Sequence, residues 1–184
     1  MASSTQTPPL NDCTIRTVKS ILDNDCDLAW RQTSAIKRDC ELVGQGDLFA
    51  QIEWQSSFKA SAIATTDGNR WRFRLEGFVF RQWITIETAD SNQAVGLFQA
   101  QPSFNGTLEL PSGRMYTWES NFWLTKWLWS DAEGRELVRV DRNLSLKTEG
   151  AVAITGDGMD NPDLTLMITL GWYLIVLVTD LRPG

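Results

Sequence analysis

The stretch that most restricts the fold lies near the end of the chain. Residues Leu164–Val178, LTLMITLGWYLIVLV, carry no charge, and only Thr165, Thr169 and Gly171 interrupt the run of large apolar side chains. Asn161-Pro162 stands just before it, with proline where the first turn of a helix tolerates it. Asp160, Asn161 and Asp163 supply cap and dipole partners for the free N–H groups of that turn. Arg182-Pro183-Gly184 closes the segment, so a helix is predicted over about 162–180. A helix apolar on every side has to be buried, either inside a protein core or in a membrane. About 15 residues rising 1.5 Å each span roughly 23 Å, short of the roughly 30 Å of bilayer hydrocarbon. Burial inside protein is the reading length favours, and a short tail anchor is the alternative.

The rest of the chain supplies the walls. From Asp27 onward apolar residues recur every second position. In Asp47–Trp54, Leu48, Ala50, Ile52 and Trp54 alternate with Asp47, Gln51 and Glu53, and Ala60, Ala62 and Ala64 repeat the pattern after Phe58. Asp67-Gly68-Asn69 is a hairpin signal leading to Trp71, Phe73 and Leu75 between Arg70, Arg72, Arg74 and Glu76. Further strands are expected over Phe78–Glu87, Ala94–Gln101, Phe104–Leu110, Arg114–Trp118, Phe122–Trp129, Glu136–Asp141 and Ala151–Thr155. Weaker runs lie at Leu28–Gln32, Ile36–Leu42 and Leu144–Lys147, and Thr14–Leu22 reads equally as a short helix or a strand. About a dozen short strands make a sandwich or a barrel. The apolar helix decides, because a sandwich of this size has no place for it, whereas a closed barrel of this many strands has an interior to fill. The expected fold is mainly β, a closed antiparallel barrel of about 12 strands around a central hydrophobic C-terminal helix. Gly171 then makes sense if an inward tryptophan packs on that helix face.

Composition narrows the function classes. At 184 residues a single domain over 11–184 is expected behind a polar, disordered leader at 1–10 that lacks the basic-then-apolar order of a signal peptide. The net charge of −6 argues against nucleic acid as a partner. There is no histidine, and Cys13, Cys26 and Cys40 are widely spaced, which disfavours a zinc site and any Ser-His-Asp or Cys-His catalytic set. Free thiols fit a reducing, cytoplasmic location. With no phosphate loop and no GxGxxG, neither enzymatic activity nor a cofactor is expected.

The succession LFAQIEW, KASAIATTDGNRWRF, AVGLFQ, GTLELPSGRMYTW and DLTLMITLGWYLIVL resembles the tubby C-terminal-like superfamily, which includes LURP-one-related proteins and phospholipid scramblases. The resemblance covers about Asp27–Thr179, and its most specific part pairs GRMYTW at Gly113–Trp118 with the closing helix. It implies a twelve-stranded barrel around a central helix. Tubby proteins bind phosphoinositides through basic side chains on the barrel wall, for which Arg70, Arg72, Arg74 and Arg81 are the nearest counterparts here. Scramblase relatives hold calcium on an acidic stretch before the helix, and Asp157, Asp160 and Asp163 occupy that place with a spacing unlike a calcium loop.

Three site readings follow. An outward row of Arg70, Arg72 and Arg74 either grips anionic lipid headgroups or pairs with cross-strand carboxylates such as Glu76 and Glu87. Trp123, Trp127 and Trp129 fall on one face of a strand apolar on both faces, leaving an outward patch for a protein partner or a second copy, unless a loop covers it. The helix residues Leu164, Leu166, Ile168, Leu170, Trp172, Leu174 and Leu177 form the barrel plug. The expected function is a binding or scaffold module contacting anionic phospholipid. The alternatives are an interaction or oligomerisation module, and a scramblase-like or tail-anchored membrane protein.

Overall fold

Alternation of apolar and polar residues builds twelve strands: β1 Leu28–Gln32, β2 Cys40–Gly44, β3 Asp47–Trp54, β4 Ser61–Thr66, β5 Asn69–Phe78, β6 Arg81–Thr88, β7 Ala94–Ala100, β8 Gly106–Glu109, β9 Met115–Ser120, β10 Lys126–Ser130, β11 Glu136–Leu144 and β12 Thr148–Ile154. In the computed structural model the described residues are 14–21, 27–34, 37–55, 60–78, 81–101, 105–144 and 148–180. Each strand pairs antiparallel with its sequence neighbours, and β1 pairs with β12 from Leu28↔Val152 to Arg31↔Glu149, so the sheet closes into a barrel without edges. A short helix α1 (Gly156–Met159) follows β12, and α2 (Leu164–Asp180) runs up the axis.

Because the connections join adjacent strands, they alternate between two rims. Those after even-numbered strands gather where α2 enters, and those after odd-numbered strands gather where it ends. Asp163 at the entry rim is held by Arg114, and Asp180 at the exit rim by Arg38 at 3.2 Å.

The plug residues are enclosed on all sides. Leu164, Leu166, Ile168, Leu170, Trp172, Leu174 and Leu177 are all buried, none more than 3% exposed. α2 therefore lies inside the barrel, not outside it as a tail anchor, and among the described residues no helix is long and apolar enough to cross a membrane. Its two central hydroxyl groups are satisfied locally or across the wall. The Thr169 hydroxyl donates to the carbonyl of Thr165 at 2.9 Å, and the Tyr173 hydroxyl donates to the carbonyl of Ala60 at 2.6 Å.

Aromatic packing holds helix to wall. Trp172 stacks on Trp30 with ring centroids 5.6 Å apart and planes 5° from parallel, and Tyr173 stacks on Trp54 at 5.1 Å. Two glycines make these contacts possible. A Cβ on Gly150 would stand 2.6 Å from the Trp172 ring, and one on Gly171 would stand 2.8 Å from Trp129 Nε1 and 3.0 Å from the Trp118 ring. The close approach of inward tryptophans to Gly171 is the arrangement its place mid-helix implies. The indole N–H groups of Trp30, Trp118 and Trp129 have no acceptor among the described residues, so ring packing has prevailed over polar satisfaction at the centre.

Several expected elements are redrawn. The strand expected over Ile36–Leu42 is Cys40–Gly44, and Phe78 belongs to β5, so the strand expected over Phe78–Glu87 starts at Arg81. Thr14–Leu22 contains a single 3-10 turn at Val18–Ile21. Leu144 ends β11, and residues 145–147 of the expected Leu144–Lys147 strand lie outside the described residues, as do the leader and Cys13 and Cys26. The strand expected over Phe122–Trp129 begins only at Lys126. Asn121 takes the preceding residues out of the ladder: its Oδ1 accepts from the N–H groups of Thr125 and Lys126 at 2.9 and 3.1 Å, and Leu124 turns left-handed at φ 53.

The helix makes two predictions. Gly171→Ala should lower stability by about 1–3 kcal/mol in urea unfolding, because overpacking against two buried indoles outweighs the roughly 1 kcal/mol of helix propensity that alanine adds. Stabilisation by this variant would mean the indoles can yield. Burial, the largest influence on Cys40, pushes its thiol up to about 11 from 9.0. Above pH 9 the unfolded thiol ionises while the folded one stays neutral, so stability should fall from pH 9 towards about 11, and Cys40→Ala should remove that part of the slope. Mass mapping after brief alkylation of the native protein at pH 8 should leave Cys40 unmodified.

Candidate binding surface

The outer wall of β5 carries the arginine row. Trp71 and Phe73 point inward, 7% and 0% exposed, which turns Arg70, Arg72 and Arg74 outward as alternation requires. None of the three guanidinium groups is without an acceptor. Arg70 donates to Asp90 at 2.9 Å, Arg72 to Asn92 Oδ1 and to the carbonyl of Ala89 at 3.0 Å, and Arg74 to Glu87 at 2.8 Å with Glu76 at 3.7 Å. The cross-strand reading named Glu87 and Glu76; Glu87 is such a neighbour on β6, whereas Glu76 lies on β5 itself, two residues beyond Arg74. The Asp90 and Asn92 contacts come from the turn between β6 and β7, which the sequence marks only as a turn.

Arg81 is separated from that row. It opens β6 opposite Phe78 at the exit rim, is exposed, and has no carboxylate partner among the described residues. Beside it the outer wall of β6 and β7 forms a groove of about 520 Å³ lined by Arg81, Gln82, Trp83, Leu97, Gln99 and Ala100. The Trp83 indole N–H donates to Glu76 at 3.2 Å, which fixes the ring along the groove.

The tryptophan patch is reorganised by the late start of β10. Trp127 and Trp129 point into the barrel, 2% and 0% exposed, where Trp129 packs edge-on to Phe98 and tilts against Trp118 at 4.8 Å. Neither belongs to an outward patch. Trp123 does not share their face, because it sits in the β9–β10 connection, 77% exposed, beside Phe122 at 87%. The two rings meet edge to face at 5.2 Å. This connection is tightly tied: beyond the Asn121 side-chain bonds, the Asn121 N–H donates to Lys126 at 2.9 Å, Leu124 N–H to Asn121 at 3.1 Å and Arg142 N–H to Thr125 at 2.8 Å. A preorganised hairpin thus holds two large apolar side chains in solvent at the exit rim. Strict strand alternation would turn Phe122 away from Trp123, but in this connection the two stand side by side. An Asn able to cap its own turn is the signal that finds the tip.

The acidic residues before the helix do not converge. Asp163 accepts from Arg114 at 2.7 and 3.0 Å and from the Tyr116 hydroxyl at 2.7 Å, and Tyr116 also reaches Asn161 at 3.0 Å. Burial first, and then the bond to Asp163, hold the Tyr116 phenol above its ordinary value. Asp160 caps the end of α1, and Asp157 is exposed with Arg135 at 3.9 Å. Among the described residues no three His, Cys, Asp or Glu side chains are grouped to hold a metal. The GRMYTW segment thus contributes Arg114 and Tyr116 to a clasp at the point where α2 enters.

No family model matches the sequence, and no curated protein matches it. Among solved structures the chain is similar to the X-ray structure of an Arabidopsis thaliana protein, AT5G01750, with a TM-score of 0.53 over 84% of this chain and 91% of that one, at 9% identity. The likeness is one of fold.

The clasp predicts that Asp163→Asn lowers stability by about 1 kcal/mol, since Arg114 is half exposed and solvent screens much of the ion pair. Millimolar calcium should leave the unfolding midpoint of the parent unchanged. A calcium-dependent rise lost in Asp163→Asn would instead make this an ion site.

Proposed function

We propose that this chain is a non-catalytic, cytoplasmic docking module of the tubby C-terminal-like kind, which rests its exit rim on an anionic membrane surface. The observation that carries this reading is the Phe122–Trp123 tip. Two aromatic rings in water on a hairpin this firmly tied are already arranged for a target, and an amphipathic indole suits the headgroup region of a bilayer. Two side chains are also too small a patch for a stable protein interface, which needs about 800 Å² per partner.

The distribution of charge supports the same orientation. The entry rim, the strand ends that form it and the segment before α2 carry Asp47, Asp67, Glu87, Asp90, Glu109, Asp131, Glu133, Glu136, Asp157, Asp160 and Asp163 against Arg16, Lys19, Arg70, Arg114 and Arg135. The exit rim and the strand ends that form it carry Arg31, Lys37, Arg38, Arg81, Lys126 and Arg142 against Asp39, Glu41, Glu53, Glu119, Asp141, Glu149 and Asp180, close to balance. An anionic surface therefore repels the entry end far more than the end that bears the tip. The Arg70, Arg72 and Arg74 row does not carry the proposal, because its charges are engaged on the wall. The resemblance of GRMYTW and the closing helix to a superfamily with lipid-contacting members agrees with this reading.

Sedimentation with vesicles tests it. The parent should bind phosphatidylcholine vesicles containing phosphatidylserine more strongly than pure phosphatidylcholine. Phe122→Ser with Trp123→Ser should weaken binding by at least about tenfold, from roughly 1.5 kcal/mol per partly immersed ring. Absence of binding by the parent, or equal binding by the double variant, would remove the membrane reading and leave a protein partner for the tip.

A further inference from the structure

We infer that the groove beside Arg81 and Trp83 is a binding site for a small amphiphilic carboxylate, with the acid group on Arg81 and the apolar body along Trp83, Leu97 and Ala100. The site uses residues other than the Phe122–Trp123 tip and does not depend on membrane docking.

The contrast between the arginines of this wall identifies the cation. On β5, Arg70 and Arg74 are held by Asp90 and Glu87, and Arg72 by Asn92 and a carbonyl. Arg81, next along the same hairpin, is exposed and has no carboxylate partner among the described residues. Glu76, the nearest acid in the β5–β6 pairing, is committed elsewhere, accepting from Trp83 Nε1 at 3.2 Å and Thr85 Oγ1 at 3.2 Å. A guanidinium left unmatched at the edge of an apolar groove is complementary to a planar carboxylate, which it binds through two parallel N–H donors.

The shape of the site depends on Gly77, at φ 95. A Cβ there would stand 2.1 Å from the carbonyl oxygen of Arg81 and 2.8 Å from the Trp83 ring. Only glycine lets the indole lie this close to the backbone of β5, and the bond to Glu76 then holds it in place. The ring is one wall, and Leu97 and Ala100 on β7 supply the other apolar surface. Gln99, which also lines the groove, has its amide N–H committed to Glu109 at 2.9 Å. At about 520 Å³ the space is in the range that holds a small organic molecule. Its apolar lining disfavours a purely polar anion such as inorganic phosphate, and its single cation disfavours a polyanion.

Calorimetric titration of the full chain in vesicle-free buffer tests the site, with decanoate kept below its micellar limit and decanol and decyltrimethylammonium as comparators. Saturable binding of one decanoate is expected, with decanol weaker and the ammonium compound weakest. Arg81→Gln should weaken decanoate by about tenfold or more, the share of a charge-assisted hydrogen bond, while leaving decanol unchanged. Leu97→Glu should weaken both, and the thermal midpoint of each variant reports its folding. No saturable binding by the parent, equal affinity for the ammonium compound, or an Arg81→Gln variant that binds decanoate like the parent would each overturn the inference. Vesicle binding by the tip is decided in a separate measurement, so either proposal can fail while the other stands.

Discussion

The contact between the apolar helix and the inward face of the barrel is the interaction on which everything else rests. Neither partner is stable alone. A helix with Leu, Ile, Val, Trp and Tyr on every side would expose apolar surface to water, and a closed sheet of twelve strands without a plug would enclose a void. Contacts such as Trp30 on Trp172 and Tyr173 on Ala60 join residues far apart in the chain. The plug follows all twelve strands in the chain, so the core is incomplete until α2 has been made. The Arg114–Asp163 and Arg38–Asp180 pairs at its two ends set its depth in the barrel.

Filling the interior has a consequence for function. Smaller hollow barrels carry ligands inside, whereas here that space holds side chains. Recognition is left to the outer wall and the rims, where the interesting features are those that break the pattern of a solvated surface. A wall on which arginines are matched by turn residues ends in Arg81, which has no carboxylate partner among the described residues. Among the described residues of the exit rim, the β9–β10 connection presents two aromatic rings to solvent.

Much of the architecture was legible because it follows from periodicity. Trp71 and Phe73 against Arg70, Arg72 and Arg74 determine which face of β5 is inside, and the charge-free run at Leu164–Val178 has nowhere to go except a closed interior. Gly171 announced an aromatic neighbour, although not that Trp118 and Trp129 would share the position. The reading failed where periodicity carries no phase. Phe122–Trp129 is apolar at both alternating sets of positions, so its pattern says nothing about where the strand begins or which tryptophans turn inward. That was settled by Asn121, whose side chain competes with the ladder for backbone donors.

The partners of the arginine row were hidden for a different reason. Glu87 lies on the strand beside β5 and is within reach of a cross-strand argument, but Asp90 and Asn92 reach Arg70 and Arg72 only because the β6–β7 turn folds back over the end of β5. A row of charges in sequence is therefore weak evidence of a binding face until the neighbouring turns are placed. The same turn geometry explains why Arg81 differs. It lies at the opposite end of the β5–β6 pair, beyond the reach of the Asp90 turn, with Glu76 already bonded to Trp83 and Thr85. Along one hairpin, the acids that neutralise the entry end are absent from the exit end, and this asymmetry leaves a charge and an apolar surface side by side.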